Sequence, residues 1–306
     1  MSGFAVICSG QAAQSADMFD FSQRYPAGRQ VLDTFAHVFG FDLPAMVREP
    51  SGLTKNAVAQ PMAVATALAN WKVLAPLLPA PLLYAGYSVG EISAWSCAGA
   101  WTVAETAAAC RERCRLMDAC APADGGMMAV RGINLDKLAA LAAEASLFIA
   151  IVNEDDHAVL AGQRAALEQM GQRLVTIGVW TKVLEVEIPS HTPLLAQATA
   201  EFAPWLSSHL VVGPAAPVLL GVSAEACSDP VRGGQALARA ISTPIQWQDC
   251  MQFLHDAGIT VVLELGPGRA LSALFARAHP DIQVRAVSDF RTAEGIAQWV
   301  GRYAER

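Results

Sequence analysis

The chain has 306 residues, 53% of them hydrophobic, with a formal net charge of −7 and seven cysteines. That length and apolar content support one large core, or a core with an inserted smaller domain, and exclude a disordered chain. The acidic balance argues against nucleic acid as the main partner, and no apolar run reaches the length of a membrane span. The cysteines are odd in number, scattered and without a Cys-x-x-Cys pair. Buried free thiols in a cytosolic protein are therefore expected, and a metal site is not.

Residues 1–8 carry no basic segment ahead of their short apolar stretch and read as a first strand rather than a signal peptide. A loop of small residues, Ser9-Gly-Gln-Ala-Ala-Gln14, follows. Residues 17–60 are mixed and mostly helical, broken at Pro26, Gly40, Pro44 and Pro50. Gln60-Pro61 then opens a helix over 62–74 that is apolar on every side, as a helix packed on several elements is.

Residues 82–84 form a buried strand that runs into Gly86-Tyr-Ser-Val-Gly90, with a small-residue helix over 92–98 behind it. A Gly-x-Ser-x-Gly element between strand and helix puts its serine on a sharp, exposed turn, because only flanking glycines let backbone and neighbours pack so close. The helix that follows aims its N-terminal amides at an oxyanion formed there. Ser88 is the expected nucleophile, against the bland alternative of an incidental serine in a tight turn.

A helix over 102–120 carries Arg111 and Arg115 on one face and Arg113 about 200° from Arg111, among Thr106, Ala109, Cys110, Leu116, Met117 and Cys120. A guanidinium pointing inward needs a carboxylate. Either an acid of this chain, the commoner structural outcome, or an acid on a ligand supplies it.

The loop 122–126 is a domain boundary. Beyond it, strands at 127–131, 148–152, 158–161 and 184–188 alternate with helices marked by Leu135, Leu138 and Leu141 and by Leu167, Met170 and Leu174. Strand, helix, strand, strand, helix, strand is the order of a ferredoxin-like unit. Short apolar runs at 218–222, 260–265 and 284–287 then read as parallel strands separated by helices. Gly266-Pro-Gly268 lacks a phosphate-loop pattern and reads as a structural turn. The expected fold is α/β: a hydrolase-like core with a parallel sheet in residues 1–122 and 191–306, and an inserted small ferredoxin-like α+β domain in 123–190.

A serine nucleophile needs a base. Of six histidines, His37, His209, His255 and His279 sit in helical stretches and His157 at a hairpin-like turn. His191 lies between Pro189 and Pro193 in the crossover between the two domains, where a cleft opens, and is the chosen base. Of the acids between Ser88 and His191, including Asp118, Asp124, Asp155 and Asp156, none stands out as a third partner.

Taken together, these segments resemble the malonyl-CoA:acyl-carrier-protein transacylases and the acyltransferase domains of polyketide synthases. The 9–14 loop resembles the family's Pro-Gly-Gln-Gly-Ser-Gln, Gln60-Pro61 its Gln-Pro-Ala, and Gly86-Tyr-Ser-Val-Gly-Glu91 its Gly-His-Ser-Leu-Gly-Glu. Cys97-Ala-Gly99, Gly125-Gly-Met-Met-Ala-Val, Asn153 with Val159-Leu-Ala-Gly162, Pro189-Ser-His191, Thr243-Pro-Ile-Gln-Trp247 and Glu264-Leu-Gly-Pro-Gly268 occur in the family's order.

The resemblance implies ping-pong acyl transfer without a cofactor, from malonyl-CoA through a malonyl ester on Ser88 to the phosphopantetheine thiol of a holo acyl carrier protein. His191 moves the proton, oriented by a backbone carbonyl near Ala240 rather than by an acid. The amides of Gln11 and Val89 form the oxyanion hole, Arg113 holds the malonyl carboxylate, and Asn153 is a further substrate-binding position. A monomer in the cytoplasm is expected. Tyr87 stands where the family has histidine, Ser9 where it has proline, and Ala12-Ala13 where it has Gly-Ser. These departures point to a specialised paralogue, serving a polyketide-like pathway or a dedicated carrier protein as in malonate decarboxylase systems. Methylmalonyl keeps the same carboxylate for Arg113. The rival readings are a hydrolase using the same serine and histidine, and a carrier-binding scaffold without turnover.

Overall fold

The computed structural model describes residues 3–11, 14–48 and 52–304, and within them eleven strands fall into two sheets. In chain order they are β1 (Gly3–Cys8), β2 (Leu83–Gly86), β3 (Gly125–Arg131), β4 (Phe148–Glu154), β5 (His157–Gln163), β6 (Trp180–Val183), β7 (Val218–Leu219), β8 (Ala226–Cys227), β9 (Ile245–Gln246), β10 (Ile259–Glu264) and β11 (Gln283–Ala286).

The larger sheet runs β11-β10-β1-β2-β7-β8, parallel except for the last pair. Its central strand β1 is buried along its whole length. Phe4, Val6 and Cys8 enter one core cluster, Ala5 and Ile7 another on the opposite face. A strand covered on both faces has no place for polar residues, which is why the run reads as continuously apolar.

The smaller sheet runs β6-β3-β5-β4-β9. Its first four strands are antiparallel and take the ferredoxin-like order. Met128 and Val130 on β3 pack with Leu138, Leu167 and Met170 of the helices Leu135–Glu144 and Arg164–Thr176. Met127, one residue out of phase, faces the cluster shared with the larger sheet. β9 pairs parallel with β4 and ties this sheet to the later chain, a link the sequence did not announce.

Four expectations are corrected. The all-apolar helix starts earlier, at Asn56–Leu74, with Pro61 inside it. It packs against the helices Pro26–Phe39, Gly90–Cys97 and Val103–Cys120, which accounts for its burial on nearly every side. Pro26 does not break a helix but begins one, at a first-turn position that needs no N–H. The strand expected at 184–188 lies instead at Trp180–Val183. Val186 and Ile188 are buried without a sheet partner because this segment leaves the small sheet and crosses to the His191 turn. The strand expected over 218–222 stops at Leu219, where the Leu220 amide donates to Glu225 O and the Ala224 amide to Leu220 O, reversing the chain. Pro50, Ala12 and Ala13 lie outside the described residues. None of the described helices is long and apolar enough to cross a membrane.

Candidate active site

Ser88 stands two residues past the end of β2 and adopts φ 57°, in the left-handed region that costs a non-glycine residue about 1–2 kcal/mol. Tight packing holds it there. The Tyr87 amide donates to Cys8 O (3.0 Å), the Gly90 amide to Tyr87 O (3.0 Å) and the Glu91 amide to Ser88 O (3.0 Å). A Cβ on Gly86 would stand 2.2 Å from the Glu91 nitrogen, and one on Gly90 2.2 Å from the Cys8 carbonyl oxygen. Gly90→Ala is therefore expected to cost about 3 kcal/mol, since the obstacle is backbone and cannot swing aside. Denaturant unfolding checks it.

His191 also has positive φ, 64°. Its backbone amide donates to Ile241 O (2.8 Å) and its Nδ1 bonds the Ala240 carbonyl, both at the end of the helix Pro230–Arg239. A carbonyl only accepts, so Nδ1 carries the hydrogen and Nε2 presents a lone pair. That lone pair faces Ser88 Oγ at 2.8 Å. Burial, and then repulsion from Arg113, push the imidazole down to about 3, against the raising effect of the Ala240 bond. It is uncharged at neutral pH, as a base has to be.

Two pH effects follow. Acylation of Ser88 is expected to show no acid limb near the ordinary histidine value of about 6.5, falling only towards pH 4 and below. Between about 6.5 and 3 the unfolded chain binds the proton that the folded chain refuses. His191 therefore makes stability fall as pH drops below about 6.5, and contributes no such loss above it. A pH–rate profile of the first half-reaction and pH-dependent unfolding check the pair.

A narrow pocket of about 50 Å³ opens at the serine. Gly10, Gln11, Tyr87, Ser88, Ser190 and His191 form its floor, and Met127, Ile151, Val159, Leu184 and Val186 cover it from the small sheet and the crossover segment. The Gln11 and Val89 amides find no backbone acceptor among the described residues, and the Gln11 Oε1 is buried without a partner among them. Val89 is buried behind Ser88 at the start of the helix Gly90–Cys97.

Arg113 is 3% exposed and does not line this pocket. Its Nη1 donates to Gln60 Oε1, whose amide nitrogen donates to Asn56 Oδ1, and Asn56 in turn donates to Asp118 Oδ1 (2.9 Å). No carboxylate among the described residues forms an ion pair with it. Glu91 is near enough to act on its charge, but burial raises that carboxyl to about 8, so at neutral pH it is largely protonated. Arg113 is therefore a buried cation near enough to act on His191, without an ionised counterion among the described residues, the condition in which an incoming carboxylate binds strongly.

Asn153, on β4, is buried but borders a different groove with Glu154 and Gln248. Its side chain meets Tyr87, whose ring stands edge-on to Trp247 at 5.4 Å. The structure thus brings Ser88, His191 and Gln11 together, keeps Val89 and Arg113 outside the pocket lining, and links Asn153 to the pocket only through Tyr87. Sequence reasoning missed Gln60 as the guanidinium's partner. The available signal was two amides, Asn56 and Gln60, one helical turn apart at the start of a mainly apolar helix.

A serine on a glycine-flanked elbow, bonded to a neutral histidine that a carbonyl orients, defines an enzyme of acyl transfer through a covalent intermediate. Residues 5–299 match the family described as acyl transferase domain, and the chain belongs to it. It is 29% identical over 300 residues to the malonyl CoA-acyl carrier protein transacylase of Salmonella typhimurium, covering 94% of this chain and 97% of that one. Among solved structures, the malonyl-CoA:acyl carrier protein transacylase of Xanthomonas oryzae superposes with a TM-score of 0.90 at 30% identity, over 99% of each chain. A malonyl-transacylase in complex with a type II polyketide-synthase acyl-carrier protein superposes at 0.91 with 27% identity, over 97% of this chain and 99% of that one.

Proposed function

We propose that this acyltransferase moves a malonyl group from malonyl-CoA to the phosphopantetheine thiol of an acyl carrier protein. His191 Nε2 takes the Ser88 Oγ proton as the oxygen attacks the thioester carbonyl. The tetrahedral oxyanion sits between the Gln11 and Val89 amides. The C–S bond breaks, His191 returns its proton to the departing thiolate, and Ser88 carries a malonyl ester. A carrier thiol then repeats the sequence in reverse, leaving its acyl thioester and free Ser88. No cofactor enters either half.

The observation that carries the malonyl reading is Arg113, a buried guanidinium without a counterion among the described residues. A free carboxylate on the acyl group supplies that counterion, and acetyl cannot. In this reading residues 1–122 and 191–306 carry nucleophile and base, and residues 123–190 form a small domain that roofs the pocket. On the same reading the enzyme works as a monomer, since a cleft enzyme of this size needs no partner to complete its site. The cytoplasm suits its seven cysteines, all free.

Decay of the malonyl-enzyme, followed with and without holo carrier protein, tests the proposal. Transfer predicts a slow loss in buffer, accelerated at least about a hundredfold by the carrier thiol. Equal decay in both marks a hydrolase instead.

A further inference from the structure

Ser9 closes β1 and leads into the loop that carries Gln11. Only 5% exposed, it donates its hydroxyl to Glu264 Oε1 at 2.6 Å. The same carboxylate accepts the amides of Leu271 (3.2 Å) and Ser272 (2.7 Å), in the first turn of the helix Ala270–Ala278. Glu264 is thus fixed from three sides, and Ser9 is fixed to it.

The backbone around Ser9 is clamped as well. A Cβ on Gly266 would stand 2.3 Å from the Ser9 Cβ, one on Gly90 2.6 Å from the Ser9 carbonyl oxygen, and one on Gly10 2.9 Å from the Tyr87 carbonyl oxygen. The Leu265 amide donates to Ile7 O (2.9 Å). Residues 8–10 are therefore held between the nucleophile elbow and the end of β10. These contacts set the separation across the clamp. Rotation about the Ser9 backbone, which would swing Gln11 away from Ser88, is opposed by the Ser9 side chain. In the motif this loop resembles, proline stands at that place and limits φ covalently.

We propose that the Ser9–Glu264 hydrogen bond is a positioning device for the oxyanion loop, replacing the restraint of a proline ring and holding the Gln11 amide on the Ser88 oxyanion. Ser9 touches no reacting atom; it acts through Gln11. The inference rests on the oxyanion role assigned to Gln11 above.

A fluorophosphonate probe tests it, because its phosphoryl oxygen occupies the same hole on Ser88 while making no demand on Arg113 or on a thioester. Labelling is measured at several probe concentrations in wild type, Ser9→Ala, Ser9→Thr and Ser9→Pro, with folding verified by circular dichroism. Ser9→Ala is expected to slow the first-order labelling step by about tenfold to a hundredfold, with the probe's apparent binding constant within about twofold of wild type. Ser9→Thr, which keeps the hydroxyl, and Ser9→Pro, which restores the ring, are expected to stay within about threefold of wild type. Labelling of Ser9→Ala at the wild-type rate overturns the proposal. So does equal slowing of the alanine variant and either folded rescue variant, which reduces the bond to core packing. A wild type that takes the probe at Ser88 but no malonyl group from malonyl-CoA refutes the malonyl reading and leaves the positioning claim to the variants.

Discussion

Ser88→Ala is expected to lower malonyl transfer at least about 10⁴-fold, His191→Ala about 10³-fold to 10⁴-fold, and the double variant no further than the worse single one. The lack of additivity is the informative part. Ser88 Oγ and His191 Nε2 stand 2.8 Å apart, and in the proposed mechanism they form one proton-transfer unit, so removing either leaves the other without work. Because Ser88 is held at φ 57° by surrounding glycines rather than by its own hydroxyl, the alanine variant folds normally and its loss reads as chemistry. Steady-state transfer to the carrier thiol, measured beside thermal unfolding, checks both statements. Independent, multiplicative losses contradict the shared role.

Arg113→Met is expected to lower kcat/KM for malonyl-CoA by roughly 10²-fold to 10³-fold while raising that for acetyl-CoA, so that discrimination between the two collapses. Removing a buried charge usually strands its partner. Here no carboxylate among the described residues is paired with the guanidinium, so the main structural loss is one hydrogen bond to Gln60 Oε1. Stability is therefore expected to change by only about 1–2 kcal/mol in either direction. A variant that loses malonyl and acetyl activity equally shows instead that Arg113 supports the fold around His191. The malonyl-to-acetyl ratio of kcat/KM, set beside the unfolding midpoint, separates the outcomes.

The elbow was legible because its chemistry is local: strand, glycine-flanked serine and helix occupy consecutive residues, and the steric need for Gly86 and Gly90 is written in their identity. The small sheet was legible in the same way, through periodicities that place Met128 and Leu138 on one side and Met127 on the other. His191 was chosen as the base by elimination and by its place at a crossover, and its Nε2 lies 2.8 Å from Ser88 Oγ. Its carbonyl partner near Ala240 came from family resemblance, since a backbone acceptor 49 residues away leaves no trace in residue type.

What stayed hidden depends on long-range contact. Glu264 looked like part of a strand-end motif, yet it bonds Ser9 across 255 residues. Gln60 read as a helix opener but stands within a helix and holds Arg113. The 184–188 segment alternates like a strand because its apolar residues are buried, but burial there comes from crossing between the sheets. Periodicity reports burial, and burial does not require a ladder.

If Ser88 takes a carboxylated acyl group selectively, intact mass spectrometry after brief mixing with malonyl-CoA or acetyl-CoA, with Ser88→Ala in parallel, will show it. A malonyl adduct is expected on the wild type alone, with no acetyl adduct on either protein. Absence of a malonyl adduct on wild type, its persistence in Ser88→Ala, or equal acetylation rules out that selectivity.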